Sequence, residues 1–276
     1  MTEGWTLGVK DAVNAQAVED ILGYGITTLD EEACVDLVHS WIDSDGRGKR
    51  IVCANPHSLE VARRDAAFAE AIRKADLVLP DGVGVCIASM LLGGVIRKRI
   101  TGSDVFEGVT RRLNEEGGRS VFFLGSTKTN LSAIRMKMER DFPNVRVAGI
   151  YAPPFKRELS PCDDASILEA VNRARPDVLW VGMCAPKQEK WMFRHKDALD
   201  VKVIGGIGAV FDFYSGRVRR SHPFFRDRGL EWLPRLLQEP ERLWDRMLIS
   251  APGFMARVLE ARLREGKRRP GQGEHG

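Results

Sequence analysis

The sequence predicts an α/β protein, with a mostly parallel sheet, helices on both of its faces, and a small helical appendage at the C-terminal end. Three observations carry that expectation. Short apolar runs alternate with longer stretches of helical periodicity through the first 215 residues. Each run is apolar at consecutive positions, as strands buried on both faces are. From about Gly216 onward the strand pattern stops, and apolar residues recur at helical spacing between Pro223, Pro234, Pro240 and Pro252.

In chain order, strands are expected at residues 50–55, 76–79, 119–125, 145–150, 177–182 and 201–204, each rich in Val, Ile, Leu or Phe. Helices are expected between them at 31–44, 58–74, 104–116, 130–140, 164–174 and 186–195. This βα alternation is Rossmann-like, and in such sheets ligands bind beyond the carboxyl ends of the strands. In the tail, Trp232, Leu236, Leu237, Leu243, Met247 and Leu248 form one apolar set with arginines opposite. The expected organisation is therefore an α/β domain at 1–215, a basic amphipathic helical appendage at 216–265 and a polar, disordered tail at 266–276.

Composition excludes several classes. With 43% hydrophobic and 29% charged residues, the 276-residue chain has the balance of a folded globular protein. Its five cysteines are widely spaced without a C-x-x-C pair, a pattern of reduced thiols in a cytoplasmic setting and not of a disulfide frame or zinc site. The first ten residues lack the pattern of a signal peptide, and no apolar run approaches the ~18 residues that span a bilayer. Any membrane contact is expected to be peripheral. The formal net charge of +4 is unevenly spread. The segment from Arg217 onward is about +6 and the body about −2, and nearly all the tail's positive charge is arginine, which grips phosphate through a planar fork of donors.

Several expected strands end in polar or glycine residues that would line one rim: Asn55, Asp81, Gly125–Ser126, Lys187–Gln188 and Gly205–Gly208. Each also has a plain structural reading. Pro80-Asp81-Gly82 is a common turn in which Asp caps the next helix, and Asn55-Pro56 can simply start a turn. The G-x-G at Gly206–Gly208 sits on the last strand, with Phe211 at the third glycine position, so it does not match a dinucleotide fingerprint. His57 stands beside a strand end, yet no histidine has metal-ligand spacing. Phosphate-loop and nucleophile-elbow motifs are absent.

As an ordered series, Ala54-Asn55-Pro56, Pro80-Asp81-Gly82-Val83-Gly84, Arg99-Ile100-Thr101-Gly102-Ser103-Asp104 and Phe123-Leu124-Gly125-Ser126 are distinctive. The series continues through Gly182-Met183-Cys184-Ala185-Pro186-Lys187-Gln188-Glu189, Gly206-Ile207-Gly208-Ala209-Val210-Phe211-Asp212, Gly229-Leu230-Glu231-Trp232 and Glu239-Pro240-Glu241-Arg242. Over about residues 20–250 it resembles the WecG/TagA/CpsF glycosyltransferases, glycosyltransferase family 26. The resemblance implies an inverting transfer from a UDP-sugar to a sugar on a polyprenyl diphosphate, with no metal or other cofactor, in surface-polysaccharide or wall-polymer synthesis at the cytoplasmic membrane face.

By the same resemblance Asp81 is the general base, and Arg99 offsets charge on the UDP leaving group. Cys53, Asn55, Gly102, Asp104, Gln188, Gly208 and Asp212 surround the donor. Cys53 stands where some members carry threonine, and a thiol donates hydrogen bonds poorly. Arg235, Arg242 and Arg246 match arginines that hold the acceptor diphosphate, although Asp245 falls where relatives often have a basic residue. Two other classes stay open on the residues alone: a nucleotide-binding oxidoreductase, which lacks an early G-x-G-x-x-G, and a non-catalytic module whose basic helices bind anionic lipid. Nucleic acid is not expected as a partner, since the tail carries no reading motif. Donor sugar, acceptor sugar and oligomeric state, including a homo-oligomer, are left open.

Overall fold

The computed structural model describes residues 17–218 and 250–268. A hairpin opens it, β1 (Val18–Ile21) and β2 (Tyr24–Thr27), paired antiparallel with Ile21 opposite Tyr24. Its two-residue turn has positive φ at both Leu22 and Gly23 (56° and 86°), the geometry whose twist matches that of the flanking strands. The sequence reading has no counterpart for this hairpin.

Then βα units follow: α1 (Glu31–Asp43), β3 (Lys49–Ala54), α2 (Pro56–Ala62), α3 (Ala66–Arg73), β4 (Leu77–Pro80), α4 (Val83–Leu92) and α5 (Gly102–Glu116). Next come β5 (Ser120–Gly125), α6 (Lys128–Asp141), β6 (Arg146–Tyr151), α7 (Pro161–Ala174), β7 (Val178–Gly182) and α8 (Lys187–His195). A 3-10 turn at Lys196–Ala198, β8 (Val203–Gly206), the short α9 (Val210–Tyr214) and α10 (Ala251–Arg268) complete the described chain. The single helix expected over 58–74 is two helices. Asp65 caps the second by accepting from Phe68 N at 3.0 Å, so the chain restarts there. Helix α4 was not among the expected elements.

Six strands form one sheet in the order β4-β3-β8-β7-β5-β6, and every neighbouring pair is parallel. The fold expected from the alternation is the fold observed. Successive strand residues supply opposite faces: Val52, Ala54, Leu179 and Val181 pack on one side, Ile51, Leu79, Val178 and Trp180 on the other. Both faces are buried, which is why the strands read as continuous apolar runs. Along the chain, β3 and β4 lie toward one edge and β5 and β6 toward the other. All the strands' carboxyl ends therefore open on one edge, with β8 and β7 in the middle.

Helix α10 is docked on the body. Phe254 and Val258 are fully buried within one core face, and Arg257 Nε donates to Glu60 Oε1 at 2.7 Å. Pro252 stands in its first turn, where a missing N–H costs nothing. The apolar set Trp232–Leu248 and Arg235, Arg242 and Arg246 lie outside the described residues.

Candidate functional site

The loops beyond the strand ends enclose one cleft of about 1380 Å³. At the end of β3, Asn55 caps α2: its side-chain oxygen accepts from Ser58 N, and Ser58 Oγ accepts from Asn55 N, both at 2.9 Å. Asparagine at this point thus has a structural task as well as a place on the cleft wall. At the end of β4, Asp81 N–H donates to Ala54 O and Leu79 O, each at 2.9 Å, tying that loop against β3. Gly82, not Asp81, is the N-cap of α4, and no side chain caps that helix. Gly82 has φ of 104°, which turns the chain sharply after Asp81 and requires glycine.

Ile100 N donates to Pro80 O at 3.0 Å, which brings the Arg99 loop to the same rim. Thr101 then starts α5 in a capping box with Asp104, whose Oδ2 accepts from Thr101 N at 2.8 Å. A Cβ on Gly102 would lie 3.3 Å from Cys53 Sγ and 3.4 Å from Ile207, so three loops meet closely at this glycine. Across the cleft, Ile207 N bonds Val181 O at 3.0 Å, and Ser126 N bonds Gly182 O at 3.1 Å. Asp212 Oδ1 accepts from Asn130 Nδ2 and from an Arg217 guanidinium N–H, both at 3.2 Å.

The cleft wall includes Cys53, Asn55, Asp81, Arg99, Gly102, Gln188, Gly208 and Asp212. These come from the ends of four strands and the loop before α5, so residues far apart in sequence are brought together. Asp104 is not on the wall; its carboxylate holds the Thr101 turn from behind. Gly205 has a purely steric reason: a Cβ there would stand 2.3 Å from the Trp180 ring.

Electrostatically the wall is cationic around an acidic floor. Arg99, Lys128, Lys156, Arg157, Lys187 and Arg217 line it, against Asp81, Glu189 and Asp212. Burial lowers the Lys187 pKa, and its ammonium donates to Lys156 O at 2.8 Å. Burial first, then the charges of Asp81 and Glu189, push the Cys53 thiol well above its ordinary value, so it stays protonated and is no nucleophile. Among the described residues no group of three or more His, Cys, Asp or Glu could hold a metal ion. A cluster of fixed cations can do the charge-stabilising work at a diphosphate that a metal does elsewhere.

Sequence reasoning missed two parts of this site. Glu189 stood beside Gln188 without a role, because nothing in sequence distinguishes a buried glutamate in a helix's first turn from a solvated one. The loop at residues 152–157, carrying Lys156 and Arg157, had a usable signal: it follows an expected strand end, as most other wall segments do.

Comparison with known proteins supplies the family. Residues 19–268 match the model of the glycosyl transferase WecG/TagA/CpsF family. The chain belongs to that family. An N-acetylglucosaminyldiphosphoundecaprenol N-acetyl-beta-D-mannosaminyltransferase of Bacillus spizizenii is 33% identical over 214 residues, 78% of this chain and 80% of the relative. The protein of that name in Bacillus subtilis is 30% identical over 77% of this chain and 80% of its own length. One in Staphylococcus aureus is 28% identical with the same coverage. The WecG/TagA/CpsF match thus spans the cleft, both sheet edges and α10, and makes the chain a glycosyltransferase.

Proposed function

We propose that the cleft transfers a sugar, with inversion and without a metal, from a UDP-sugar to a saccharide carried on a polyprenyl diphosphate in the building of a bacterial surface or wall polymer. The observation that carries this reading is the convergence of Asn55, Asp81, Arg99, Gln188 and Asp212, from separate strand-end loops, on one cleft with a cationic wall. Its volume of about 1380 Å³ exceeds the roughly 300–1,000 Å³ of a single small-ligand pocket, leaving room for donor and acceptor sugars together. In this reading Asp81 takes the acceptor hydroxyl proton as its oxygen attacks the anomeric carbon, and Arg99 stabilises the departing diphosphate.

The relatives' names describe an acceptor on undecaprenyl diphosphate, which supports a lipid-held acceptor here. Such a substrate keeps the enzyme at the inner membrane face. No helix among the described residues is long and apolar enough to cross a membrane, so contact there is peripheral in this account. Arg235, Arg242 and Arg246 are assigned the acceptor diphosphate on sequence alone.

The test is a screen of purified protein with several UDP-sugars and a polyprenyl-diphosphate-linked N-acetylglucosamine, following UDP release. Acceptor-dependent release that survives a chelator is expected. No release with any donor, or release abolished by the chelator, rejects the proposal.

A further inference from the structure

The first turn of α8 contains a buried amide–carboxyl pair to which the proposed transfer assigns only half a role. Gln188 and Glu189 are each 4% exposed, and both belong to the cleft wall. Gln188 Nε2 donates to Glu189 Oε1 at 2.8 Å. The Gln188 amide oxygen, Oε1, and the second Glu189 carboxyl oxygen, Oε2, are buried with no hydrogen-bond partner. A carboxylate cannot repair this, because it only accepts, and so does the amide oxygen. A single proton on Glu189 Oε2 repairs both deficits at once, since it creates the donor that Gln188 Oε1 lacks.

We propose that Glu189 works as a carboxylic acid that closes a two-hydrogen-bond ring with the Gln188 amide, and is thereby the positioning residue that fixes which end of that amide the donor substrate meets. The ring uses Gln188 Oε1 and one Nε2 hydrogen. It leaves the second Nε2 hydrogen as the pair's one uncommitted donor, suited to an acceptor oxygen on the nucleotide-sugar. It also keeps one negative charge off a wall that must accept a diphosphate. The inference rests on the nucleotide-sugar reading for its ligand, but not for its proton.

The surroundings agree. Burial raises the Glu189 carboxyl to about 7, although the Gln188 hydrogen bond and the Glu189 N–H both favour the anion. Facing it from β3 is Cys53, a thiol held protonated by burial first and then by Asp81, Glu189 and Asp104. On its own helix, Lys187 bonds Lys156 O and Lys190 bonds Asp65 at 2.9 Å. Among the described residues no cation is paired with Glu189.

Substituting glutamine tests the ring directly, because its amide can supply the same donor at every pH, whereas Glu189→Leu keeps bulk and removes the bond. UDP-sugar affinity is measured by calorimetry from about pH 6 to about pH 9 for wild type and both variants. Wild-type affinity is expected to fall about tenfold above ~pH 7, with Glu189→Gln binding about tenfold more tightly than wild type there and Glu189→Leu weak throughout. A flat wild-type profile, or Glu189→Gln no better than Glu189→Leu, overturns the proposal. Infrared difference spectra of wild type labelled with carboxyl-13C glutamate need neither ligand nor variant. A protonated carboxyl band that disappears near pH ~7 is expected, and its absence at about pH 6 is equally fatal. Wild type that binds no UDP-sugar at any pH rejects the nucleotide-sugar reading, while the infrared result still decides the proton.

Discussion

The two ends of the central sheet are built from the same kinds of side chain and do different things with them. At the amino end, carboxylates are spent on structure. Asp76, just before β4, accepts from Arg50 N in β3 at 2.9 Å and faces Lys49 Nζ at 3.2 Å. Asp177, just before β7, accepts from Ser120 N in β5 at 2.8 Å and from Ser120 Oγ at 2.9 Å, with Arg119 alongside at 3.5 Å. Each bridges its strand to the neighbour. At the carboxyl end the loops open instead of closing, and the buried Gln188 Oε1 and Glu189 Oε2 have no donor. The lesson is that a carboxylate bridging two strands belongs to the scaffold, whereas Glu189, with one buried oxygen lacking a donor, belongs to the cleft.

The largest effect that can break this contrast is in turnover. Asp81→Asn is expected to keep the fold and donor binding but to lower kcat by at least ~10²-fold, the scale of losing a general base. Steady-state kinetics beside a thermal melt would check it. Near-normal kcat would return Asp81 to the scaffold class.

A second prediction sharpens the contrast through pH. Native Glu189 keeps its proton up to about 7, whereas the unfolded chain releases it near 4.5. Between those values the native state binds more protons, so stability falls as pH rises through that window and levels off above it. Glu189→Gln does not titrate. Its stability relative to wild type should rise by up to about 3 kcal/mol between ~pH 4 and ~pH 8, measured by urea unfolding. A constant difference across that range would mean that Glu189 is ionised throughout.

Next in size, Arg99→Ala is expected to remove the proposed charge-assisted contact to diphosphate, worth about 1.5–3 kcal/mol. UDP-sugar affinity should drop while the melting temperature stays within a few degrees. Binding unchanged by the substitution would move Arg99 off the donor site.

The same contrast explains what the sequence could disclose. Six strands in a parallel sheet were legible, though not their order, because two-sided burial leaves uninterrupted apolar runs, as at Val121–Leu124 and Val178–Val181. The hairpin was not, since Val18 is half exposed while Ile21, Tyr24 and Ile26 are buried, and two four-residue strands give too few positions for a pattern. Helix α4 was hidden by its start: Gly82 is an N-cap with no side-chain signal, and its exposed Val83, Ile87 and Met90 blur the polar face. At the site, Asn55, Asp81, Arg99, Gln188 and Asp212 could be named from ordered motifs. The neutral state inferred for Glu189 could not, because it arises from burial, against the opposing pull of the Gln188 amide and of its own N–H. Asp76 and Asp177 were read as first strand residues, although they precede their strands and hold an N–H at the start of the strand next door.

That misreading leads to the smallest predicted effect. Arg50 is only 5% exposed, its pKa is lowered by burial, and the charges of Asp76 and Asp197 oppose that lowering. Asp76→Asn keeps the shape but weakens the Arg50 N–H bond and removes one of the two charges that support a buried guanidinium. Losing a partner of a buried charge can cost about 3–5 kcal/mol, but the Asp76 side chain is 26% exposed, water screens it, and Asp197 remains. The pairing with the more exposed Lys49 adds less than ~1 kcal/mol. A loss of about 1–2 kcal/mol in urea unfolding is therefore expected, toward the low end of the ~1.5–3 kcal/mol of a hydrogen bond to a charged group because this one is partly solvated. Because Asp76 lies at the opposite end of the sheet from the cleft, kcat and KM of the folded fraction should match wild type. A kcat defect in Asp76→Asn approaching that of Asp81→Asn would show that the two ends are coupled and that the division between scaffold and site does not hold.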